Sequence, residues 1–503
     1  MSATGFLHTG NEYLDALLHS SWGTAAGQPI KLTYSFMQSA PEGLPASVVA
    51  DDAAGFAPMS AGQQSAARDA MAAWSAVANI TFTEVAQDGD IQLGTNNQGE
   101  RSGGYASYPD GTAYQTYLFT NNQILANQNV GEHNWWDVGY GMMTLLHELG
   151  HVLGLKHPGP YNTAGEPEPP YLPAKFDSMS YTIMSYNPGD QFQYYEYPAT
   201  PMAMDVNAVQ YLYGANMSYH AGADVYRFSD LEAPLCIWDA GGNDTFDFSA
   251  CTARTYINLR LGSFSSTGFD YYNIALATRV TIETAIAGDG GSWMFGNDAD
   301  NTLHGGAGSD EIHGGAGNDT ISGGGGQDTA VYAGARANFR VVANGGNFRL
   351  TDNTGAEGAD VLSGVERVRF ADGAVALDID GAAGQTYRLY QAAFNRKPDL
   401  GGVGFWLNEL DHGLSLLKMA QSFLDSPESV RTYGALDDTA FVNLMYHNVL
   451  HRAPDADGLK FYLDGFASGN TRAQVLQGFS ESPENQAAII GSIVNGVDYI
   501  PVG

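Results

Sequence analysis

The sequence is poor in cysteine, poor in basic residues and free of long hydrophobic runs. Its 503 residues include only Cys236 and Cys251, so no disulfide framework holds the fold, although one short bridge is open to them. The chain has 22 Lys and Arg but 55 Asp and Glu, and the resulting net charge of −33 argues against a nucleic-acid-binding surface. No run reaches the roughly 18 apolar residues of a membrane span. The start, MSATGFLHTGNEYLDALL, shows no Sec-type signal peptide.

The chain is rich in acidic residues and in glycine. Its 62 glycines accompany 44% hydrophobic residues, a globular proportion, over a length that favours two to four domains. The acidity has two explanations, a solvated surface of like charges or carboxylates neutralised by bound divalent cations. Because glycine and aspartate cluster from about Asp239 onward, we favour the cations.

Residues 30–220 mix strand and helix patterns. The strand-like segments are Ile30–Phe36, ITFTEV from Ile80, DIQLGT from Asp90, Gly103–Tyr108 and Tyr117–Thr120. The helical segments are Gln63–Val77 with Ser60 as N-cap, Met142–Leu155, and Asp205–Tyr213 ended by Gly214. This order predicts a mixed α and β domain with a long irregular stretch before its last helix.

The segment HELGHVLGLKH, which begins at His147, has the spacing of a metal-binding helix. His147 and His151 are four positions apart, so on a helix both imidazoles leave one face and can share one ion. Glu148 can reach a water on that ion without binding the ion itself. Gly154 can adopt the left-handed conformation that ends the helix and turns His157 back to the same ion. Three histidines leave a fourth position for water, as hydrolytic zinc requires.

This motif, followed by SYTIMSY from Ser180, resembles the metzincin clan of zinc peptidases. Further stretches resemble the serralysins, the secreted bacterial branch of that clan: HPGPYN, IMSY, PMAMDVNAVQYLYGAN and IWDAGGNDTFDFS. The resemblance covers about residues 10–332. It implies a methionine turn that places Met184 beneath the metal as a structural residue.

The resemblance also implies the roles of the catalytic residues. Glu148 is expected to act as general base for a zinc-activated water. Tyr186 is expected to be a further zinc ligand in the resting enzyme and to hydrogen-bond the tetrahedral intermediate. The substrate is expected to lie extended beside an edge strand at Gly104, Tyr105 and Ala106.

From Gly296 the chain repeats a nine-residue unit: GNDADNTLH, GGAGSDEIH, GGAGNDTIS and GGGGQDTAV. The glycines allow tight turns with inward carbonyls, the Asp supplies a carboxylate, and the apolar position fills a core between short parallel strands. Calcium prefers such oxygen ligands, and a flexible linker would not keep this register. Ser292 replaces the Asp within 287–295, which predicts weaker binding there. The repeat and the resemblance together predict calcium ligands at Gly222, Asp224, Asp239, Gly241, Gly242, Asp244, Thr281, Glu283, Gly288, Gly290, Asn297, Ala299, Asn301, Gly305, Ala307, Asp310, Gly314, Ala316, Asp319, Gly323, Gly325 and Asp328.

A longer duplication follows the roll. Residues 390–428 recur 56 positions later at 446–484, with the same Tyr, Arg-x-Pro-Asp and Ser-Pro-Glu landmarks. Apolar residues at helical spacing lie between the landmarks, so the duplicated unit is predicted to be α-helical. The segments at Arg396 and Arg452 are predicted to cap helices or turns. The unit resembles a domain of unknown function in secreted bacterial proteins, and sugar or cell-surface binding is a hypothesis for it.

These features predict a multidomain α+β protein with a zincin-like catalytic domain, a parallel β-roll and a mainly α-helical C-terminal domain. The predicted divisions are a short propeptide at 1–10, the catalytic domain at 11–218, the roll at 219–334, a β-hairpin connector capping the roll at 335–383, and the duplicated helical domain at 384–503. The predicted cofactors are one catalytic Zn²⁺ and several structural Ca²⁺.

The resemblance implies a secreted, zinc- and calcium-dependent endopeptidase acting on extracellular proteins or peptides. It further implies export from a bacterium by a type I secretion apparatus, with a signal at the C-terminus, for which VDYIPVG from Val497 is the candidate. Such a route would explain the missing Sec signal. Two alternatives stay open: a cell-surface processing protease specialised for one surface-layer or self protein, and a non-catalytic surface-binding protein.

Overall fold

The computed structural model describes residues 9–23, 25–41, 55–98, 103–109, 115–122, 139–161, 169–188, 197–230, 233–268 and 272–502. Most of the predicted propeptide, residues 1–8, lies outside the described part. The chain divides into two compact units, one ending at Gly288 and the other beginning at Asp289. Within the described ranges, no helix has both the length and the apolar character that a bilayer crossing needs.

The first unit contains a five-stranded sheet. Its strands are β1 (Ile30–Phe36), β2 (Ile80–Glu84), β3 (Ile91–Asn96), β4 (Gly104–Ala106) and β5 (Thr116–Asn121). The order is β2-β1-β3-β5-β4. The first four strands of that order pair in parallel, whereas β4 pairs antiparallel with β5 and forms the edge. All five predicted strands are confirmed, and the predicted edge strand is at an edge.

In the described part of this unit the helices are α1 (Glu12–Asp15), α2 (Ala61–Val77), α3 (Tyr140–Val152) and α4 (Ala203–Tyr213). The predicted N-cap is confirmed, because the Ser60 side chain and the side chain of the third helical residue exchange hydrogen bonds with each other's backbone. The predicted end of α3 at Leu155 is wrong. The helix stops at Val152 because Gly154 has a φ of 100°, a left-handed conformation that no longer continues the helix.

The rest of the first unit is built from short strands. They are β6 (Val225–Arg227), β7 (Leu235–Ile237), β8 (Thr245–Asp247), β9 (Thr255–Asn258), β10 (Phe264–Ser265), β11 (Ile274–Leu276) and β12 (Thr284–Ile286). Strand β8 pairs in parallel with both β6 and β12, and β7 pairs in parallel with β11. Phe228, Phe246 and Phe248 pack ring against ring in the core, and Cys236 and Cys251 are buried.

The second unit opens with the nonapeptide repeats, each of which forms one strand. They are β13 (Ser292–Phe295), β14 (Thr302–His304), β15 (Glu311–His313), β16 (Thr320–Ser322) and β17 (Thr329–Val331). Successive strands alternate between two sheets, so β14 pairs in parallel with β16 and β15 with both β13 and β17. The apolar position of each repeat is fully buried, at Leu303, Ile312, Ile321 and Ala330. The predicted parallel β-roll is confirmed.

A short 3-10 turn (Arg336–Asn338) and five more strands follow. They are β18 (Phe339–Asn344), β19 (Asn347–Asp352), β20 (Ala359–Ser363), β21 (Arg367–Phe370) and β22 (Gly373–Ala376). The predicted hairpins are confirmed, since β18–β19, β19–β20 and β21–β22 pair antiparallel. Strands β20 and β21 also pair in parallel with β16 and β17, so both sheets of the roll continue into this segment.

The C-terminal part is helical, as the spacing predicts. Its helices are α5 (Ala382–Phe394), α6 (Leu400–Asp411), α7 (Leu416–Leu424), α8 (Pro427–Tyr433), α9 (Asp438–Leu450), α10 (Ala456–Ala467), α11 (Arg472–Ser480) and α12 (Pro483–Ile493). A last strand, β23 (Val497–Tyr499), pairs antiparallel with β22. This strand comes from the candidate export signal.

Each Arg-x-Pro-Asp segment caps a helix, as predicted. Asp399 accepts a hydrogen bond from the backbone of α6, and Asp455 does the same for α10, both at 2.7 Å. The arginine of each segment pairs with the glutamate of the following Ser-Pro-Glu, Arg396 with Glu428 and Arg452 with Glu484. Both arginines are therefore engaged within their own repeat.

Candidate metal centre

The metal-binding helix lies inside the first unit, and a glycine brings its third histidine back. Every residue of α3 after Tyr140 is buried. At Gly154 a Cβ would lie 2.1 Å from the carbonyl oxygen of Ser20, so only glycine fits this close approach. Directly after it, the Lys156 N–H donates to the Leu17 carbonyl, which holds the returning segment against the N-terminal region. His157 is thereby fixed beside the helix.

The three predicted imidazoles converge. The Nε2 atom of His157 lies 3.2 Å from that of His147 and 3.1 Å from that of His151. The Nδ1 atom of His147 lies 2.7 Å from the Ile183 carbonyl, and that of His151 lies 2.8 Å from the Leu155 carbonyl. Since a carbonyl can only accept, both Nδ1 atoms carry the proton and both Nε2 atoms present a lone pair inward.

This arrangement fits a bound cation and not a proton. Burial lowers the pKa of His147 to about 4 and that of His157 to about 3, and it also lowers the pKa of His151 well below the ordinary value. The rings are therefore neutral at pH 7, and the inward lone pairs of His147 and His151 are available to a metal ion. Three imidazole nitrogens are the donor set of a hydrolytic zinc site.

The predicted general base lies beside these ligands and is buried. Its Oε2 atom makes no hydrogen bond with the described residues, and burial raises the pKa of Glu148 to about 8. A Cβ at Gly104 would lie 3.0 Å from the Cγ of Glu148, so the carboxyl group adjoins the edge strand β4. The structure thus places the base between the metal ligands and the predicted substrate strand.

The methionine turn packs under the histidines. Met184 is fully buried, and its Sδ would lie 2.5 Å from a Cβ at Gly150 on α3, so a side chain there would collide with the sulfur. The turn is held by Asp205 of α4, which sequence reasoning missed as a site residue. Its carboxylate accepts hydrogen bonds from the Thr182 hydroxyl at 2.5 Å and the Ile183 N–H at 2.8 Å.

Asp205 is linked to His147 through the backbone of one residue, Ile183. Its Oδ2 accepts from the N–H of Ile183, and the carbonyl of Ile183 accepts from the Nδ1 of His147. The carboxylate also accepts from the Met202 N–H at 2.9 Å, and burial raises its pKa to about 7 in spite of these three donors. Through Asp205, the helix α4 therefore helps to orient His147, a predicted metal ligand.

Replacing Asp205 by Asn is expected to weaken zinc binding about tenfold or more. Both carboxylate oxygens accept hydrogen bonds, and the amide would put an NH₂ group opposite one of these hydrogen-bond donors. Zinc affinity is measured by competition with a chromophoric chelator, alongside the unfolding temperature. Asp69→Asn, an exposed change on α2, is the control and should alter neither quantity. Unchanged zinc affinity in the Asp205 variant would contradict the proposed link.

The tyrosine that follows the methionine turn also lies at the site. The Tyr186 ring centroid is 4.8 Å from that of His157 and 5.5 Å from that of His147. With 42% of its surface exposed, the ring faces the cleft and not the core. This position is compatible with the predicted role at the metal and toward a substrate.

A cavity of about 320 Å³ adjoins the base. Gly104 of the edge strand and Gly103 before it line one side of the cavity. The other walls are part polar and part apolar, with apolar or aromatic side chains contributed by Tyr140, Met143, Met179 and Tyr197. A space of this size beside the predicted general base could receive one apolar side chain of a peptide.

The first predicted calcium group also converges. Carboxylate oxygens of Asp224, Asp239 and Asp244 all lie within 4.8 Å of one another. The Asp224 N–H donates to Asp244 at 2.9 Å, and the Asp244 N–H donates to Glu283 at 2.7 Å. A Cβ at Gly242 would lie 1.6 Å from the Gly222 carbonyl oxygen, so that carbonyl approaches the same turn. Thr281 is exposed and precedes Glu283 by two positions.

The repeats of the second unit form a regular ladder of carboxylates. The Asn301 N–H donates to Asp319 at 2.8 Å, and the Asp310 N–H donates to Asp328 at 2.9 Å. The Oδ2 atoms of Asp319 and Asp328 are buried and make no hydrogen bond with the described residues. Buried carboxylate oxygens without donors fit a cation.

The other predicted turn residues lie between the strands of the roll. A Cβ at Gly315 would lie 2.3 Å from the Asn297 carbonyl oxygen, and one at Gly317 would lie 2.6 Å from that of Ala299. The glycines of one turn therefore lie directly against the carbonyl groups of an earlier turn, as the repeat predicts. The other predicted calcium ligands of the repeats occupy equivalent turns: Gly288, Gly290, Gly305, Ala307, Gly314, Ala316, Gly323 and Gly325.

The ladder has two further members that sequence reasoning missed. The Asp319 N–H donates to Asp360 at 2.8 Å, and the Asp328 N–H donates to Glu366 at 2.9 Å. The sequence does contain a pattern that could have identified Asp360. Residues 358–362 read GADVL, which keeps the glycine, acidic and apolar positions of the nine-residue repeat. The β18–β19 hairpin interrupts the nine-residue period and hides it.

Burial raises the pKa of these carboxyls. It brings the pKa of Asp319 to about 7 and the pKa values of Asp244, Asp328 and Asp360 to about 6, and it also raises the pKa of Glu366. Without a cation the ladder would hold protons near neutral pH.

Three family descriptions match parts of this chain. Residues 30–163 match the matrixin family, and residues 203–344 match the C-terminal region of M10 serralysin peptidases. Residues 420–489 match a domain of unknown function, DUF4214, within the duplicated helical part.

Curated relatives also match part of this chain. Serralysin of Proteus mirabilis is 39% identical over 273 residues, which are 48% of this chain and 55% of the relative. Metallopeptidase AprA of Pseudomonas marginalis is 38% identical over 305 residues, 54% of this chain and 61% of the relative. Serralysin C of Dickeya chrysanthemi is 38% identical over 296 residues, 54% and 60% of the two chains. The match thus spans little more than half the length of each relative.

Proposed function

This chain belongs to the serralysin family of metzincins through residues 30–163 and 203–344, and from this premise we propose that it is an extracellular zinc endopeptidase. The observation that carries the proposal is the convergence of three imidazole Nε2 atoms beside a buried carboxyl. The ligands would be His147, His151 and His157, with Tyr186 as a further ligand in the resting enzyme.

The chemistry divides between the metal and the chain's own residues. Zinc held by the three imidazoles supplies Lewis acidity, which acidifies water and polarises a peptide carbonyl. Glu148 accepts the proton of the attacking water and then delivers it to the leaving amine. The same carboxyl therefore acts first as a base and then as an acid. The Tyr186 hydroxyl donates a hydrogen bond to the oxyanion.

The substrate lies extended along β4. This strand is the edge of its sheet, so a peptide can add to it through backbone hydrogen bonds with little dependence on sequence. Gly104 adjoins the Cγ of Glu148, which places the paired peptide next to the base. The cavity walled by Met143, Met179, Tyr140 and Tyr197 receives one apolar side chain beside the scissile bond.

The carboxylate ladder binds several calcium ions, and folding is therefore linked to calcium. We place the protein outside the cell, exported unfolded by a type I secretion apparatus where cytosolic calcium is low. The chain's 55 acidic residues suit that route, since many are neutralised only once calcium binds. The helical tail is a candidate contact for the cell surface or a surface layer.

A narrower function is a processing protease that acts on one surface-layer or self protein. The duplicated helical domain favours it, because such a domain can hold the enzyme near one target. Cleavage profiling on secreted bacterial proteins separates the two, since a general protease yields many products and a processing enzyme very few. A non-catalytic surface protein fits less well, because it has no need of Glu148 beside the metal ligands.

Zinc removal is the direct test. Calcium-loaded protein is expected to contain one zinc ion per chain by mass spectrometry and to digest casein. A zinc-selective chelator that leaves calcium in place should abolish digestion, and added zinc should restore it, because the three imidazoles provide the ligands. Full digestion by zinc-free protein would refute the proposal.

A further inference from the structure

A second cavity of the first unit contains none of the metal ligands. It measures about 750 Å³, within the range of small-molecule and peptide sites. The N-terminal helix α1, the helix α4 and the loop at 278–279 all contribute to its wall. The apolar part of the lining consists of Tyr13, Leu14, Phe176, Met204 and Tyr211.

The charge of this lining is the reverse of the charge of the whole chain. The chain carries 55 acidic and 22 basic side chains, yet the described residues that line the cavity include no carboxylate. Their one formal charge is the guanidinium of Arg279. The lining therefore offers an anion one guanidinium and, among the described residues, no carboxylate that would repel it.

Arg279 also has an unusual backbone conformation. Its φ of 78° lies in the left-handed region, which a side chain other than glycine's enters at a cost. The preceding residue is anchored, because the Thr278 hydroxyl donates to the Asn207 side chain of α4. The guanidinium itself makes no ion pair or hydrogen bond with any described residue. Glycine would suit this backbone better, so an arginine here points to a use for its side chain.

We propose that this cavity binds a carboxylate that lies next to an apolar or aromatic side chain, as in an acidic stretch of a polypeptide. Arg279 pairs with the carboxylate through its planar fork of donors. Tyr13, Phe176 and Tyr211 contact the neighbouring apolar side chain. The binding step is independent of catalysis. Its consequence, tighter capture of acidic protein substrates, rests on the proposed protease function.

The test measures binding of a short fluorescein-labelled peptide of alternating Asp and Phe by fluorescence anisotropy. The protein is the full calcium-loaded chain with Glu148→Ala, so that the peptide is not cleaved. The matched peptide with Asn in place of each Asp is expected to bind at least about tenfold more weakly. Arg279→Gly should cause a similar loss while keeping or raising the unfolding temperature, because it relieves the left-handed strain.

Arg340→Ala removes one exposed cation elsewhere and is expected to leave the affinity unchanged. Equal binding of both peptides, unchanged affinity in Arg279→Gly, or displacement of the peptide by a hydroxamate that occupies the metal site would each overturn the proposal. Casein digestion by Arg279→Gly with Glu148 intact distinguishes the failures. Retained digestion together with unaltered peptide binding rejects the cavity and leaves the protease function standing.

Discussion

Replacing Glu148 by Gln will lower the rate of casein hydrolysis about a hundred- to ten-thousandfold while leaving zinc bound. Glutamine keeps the shape of the side chain but cannot take the proton of the attacking water or return one to the leaving amine. Since Glu148 is not one of the three converging nitrogen ligands, the metal should stay. The rate is measured on casein and on a quenched peptide, with zinc content determined on the same samples.

The matched control is Glu12→Gln, an exposed glutamate of the same unit, which should keep full activity. The activity of the wild-type protein is expected to rise with pH as Glu148 loses its proton, because only the carboxylate can accept a proton from water. Substantial hydrolysis by Glu148→Gln with zinc bound would assign the base to another residue. Loss of zinc from the variant would instead show that Glu148 supports the metal site.

Removal of calcium will destabilise the roll, and more strongly at pH 8 than at pH 5. At calcium about a thousandfold above its dissociation constant, each site contributes about 4 kcal/mol, which corresponds to a shift in unfolding temperature of about 10 °C. Protons compete with calcium for the same carboxylates, so the stabilisation is smaller in acid. Thermal unfolding followed by circular dichroism, with and without calcium at both pH values, checks this.

The calcium-free protein should itself lose stability as the pH rises from about 4 to 7. Burial raises the folded-state pKa of Asp319 to about 7 and those of Asp328 and Asp360 to about 6, above the value of about 3.9 for Asp in an unfolded chain. Between these values the folded state holds more protons than the unfolded state, so a rise in pH favours unfolding.

Asp360→Asn removes one of these carboxyls and should flatten the pH dependence and reduce the effect of calcium. Asp69→Asn, on an exposed face of α2, should change neither. A calcium-free protein that is most stable at pH 8 would contradict the assignment of the ladder as a cation site.

Local patterns allowed much of this fold to be predicted. Ser60 caps α2 because a cap needs only the side chain and the next three residues. The buried Leu303, Ile312, Ile321 and Ala330 follow the nine-residue register for a similar reason, since each strand repeats the one before it. The duplicated Asp399 and Asp455 caps follow from their Arg-x-Pro-Asp segments.

Features that depend on distant segments were harder to predict. Asp360 and Glu366 join the ladder only because β20 and β21 return to the sheets after the β18–β19 hairpin. Asp205 supports His147 through the backbone of Ile183, which is remote from both in sequence, and no spacing rule connects them. The cavity around Arg279 needs α1, α4 and the 278–279 loop to meet.

The sequence by itself determined the chemistry of the metal site: three histidines, a carboxyl beside the first, and a glycine that turns the chain. These are interactions within a few residues, which helix geometry and backbone sterics specify locally. Only the tertiary structure decided that the three imidazoles converge, which strand lies at the sheet edge, and which carboxylates are buried. Those properties depend on burial and on contacts between residues far apart in the chain, which the local spacing of residues cannot predict.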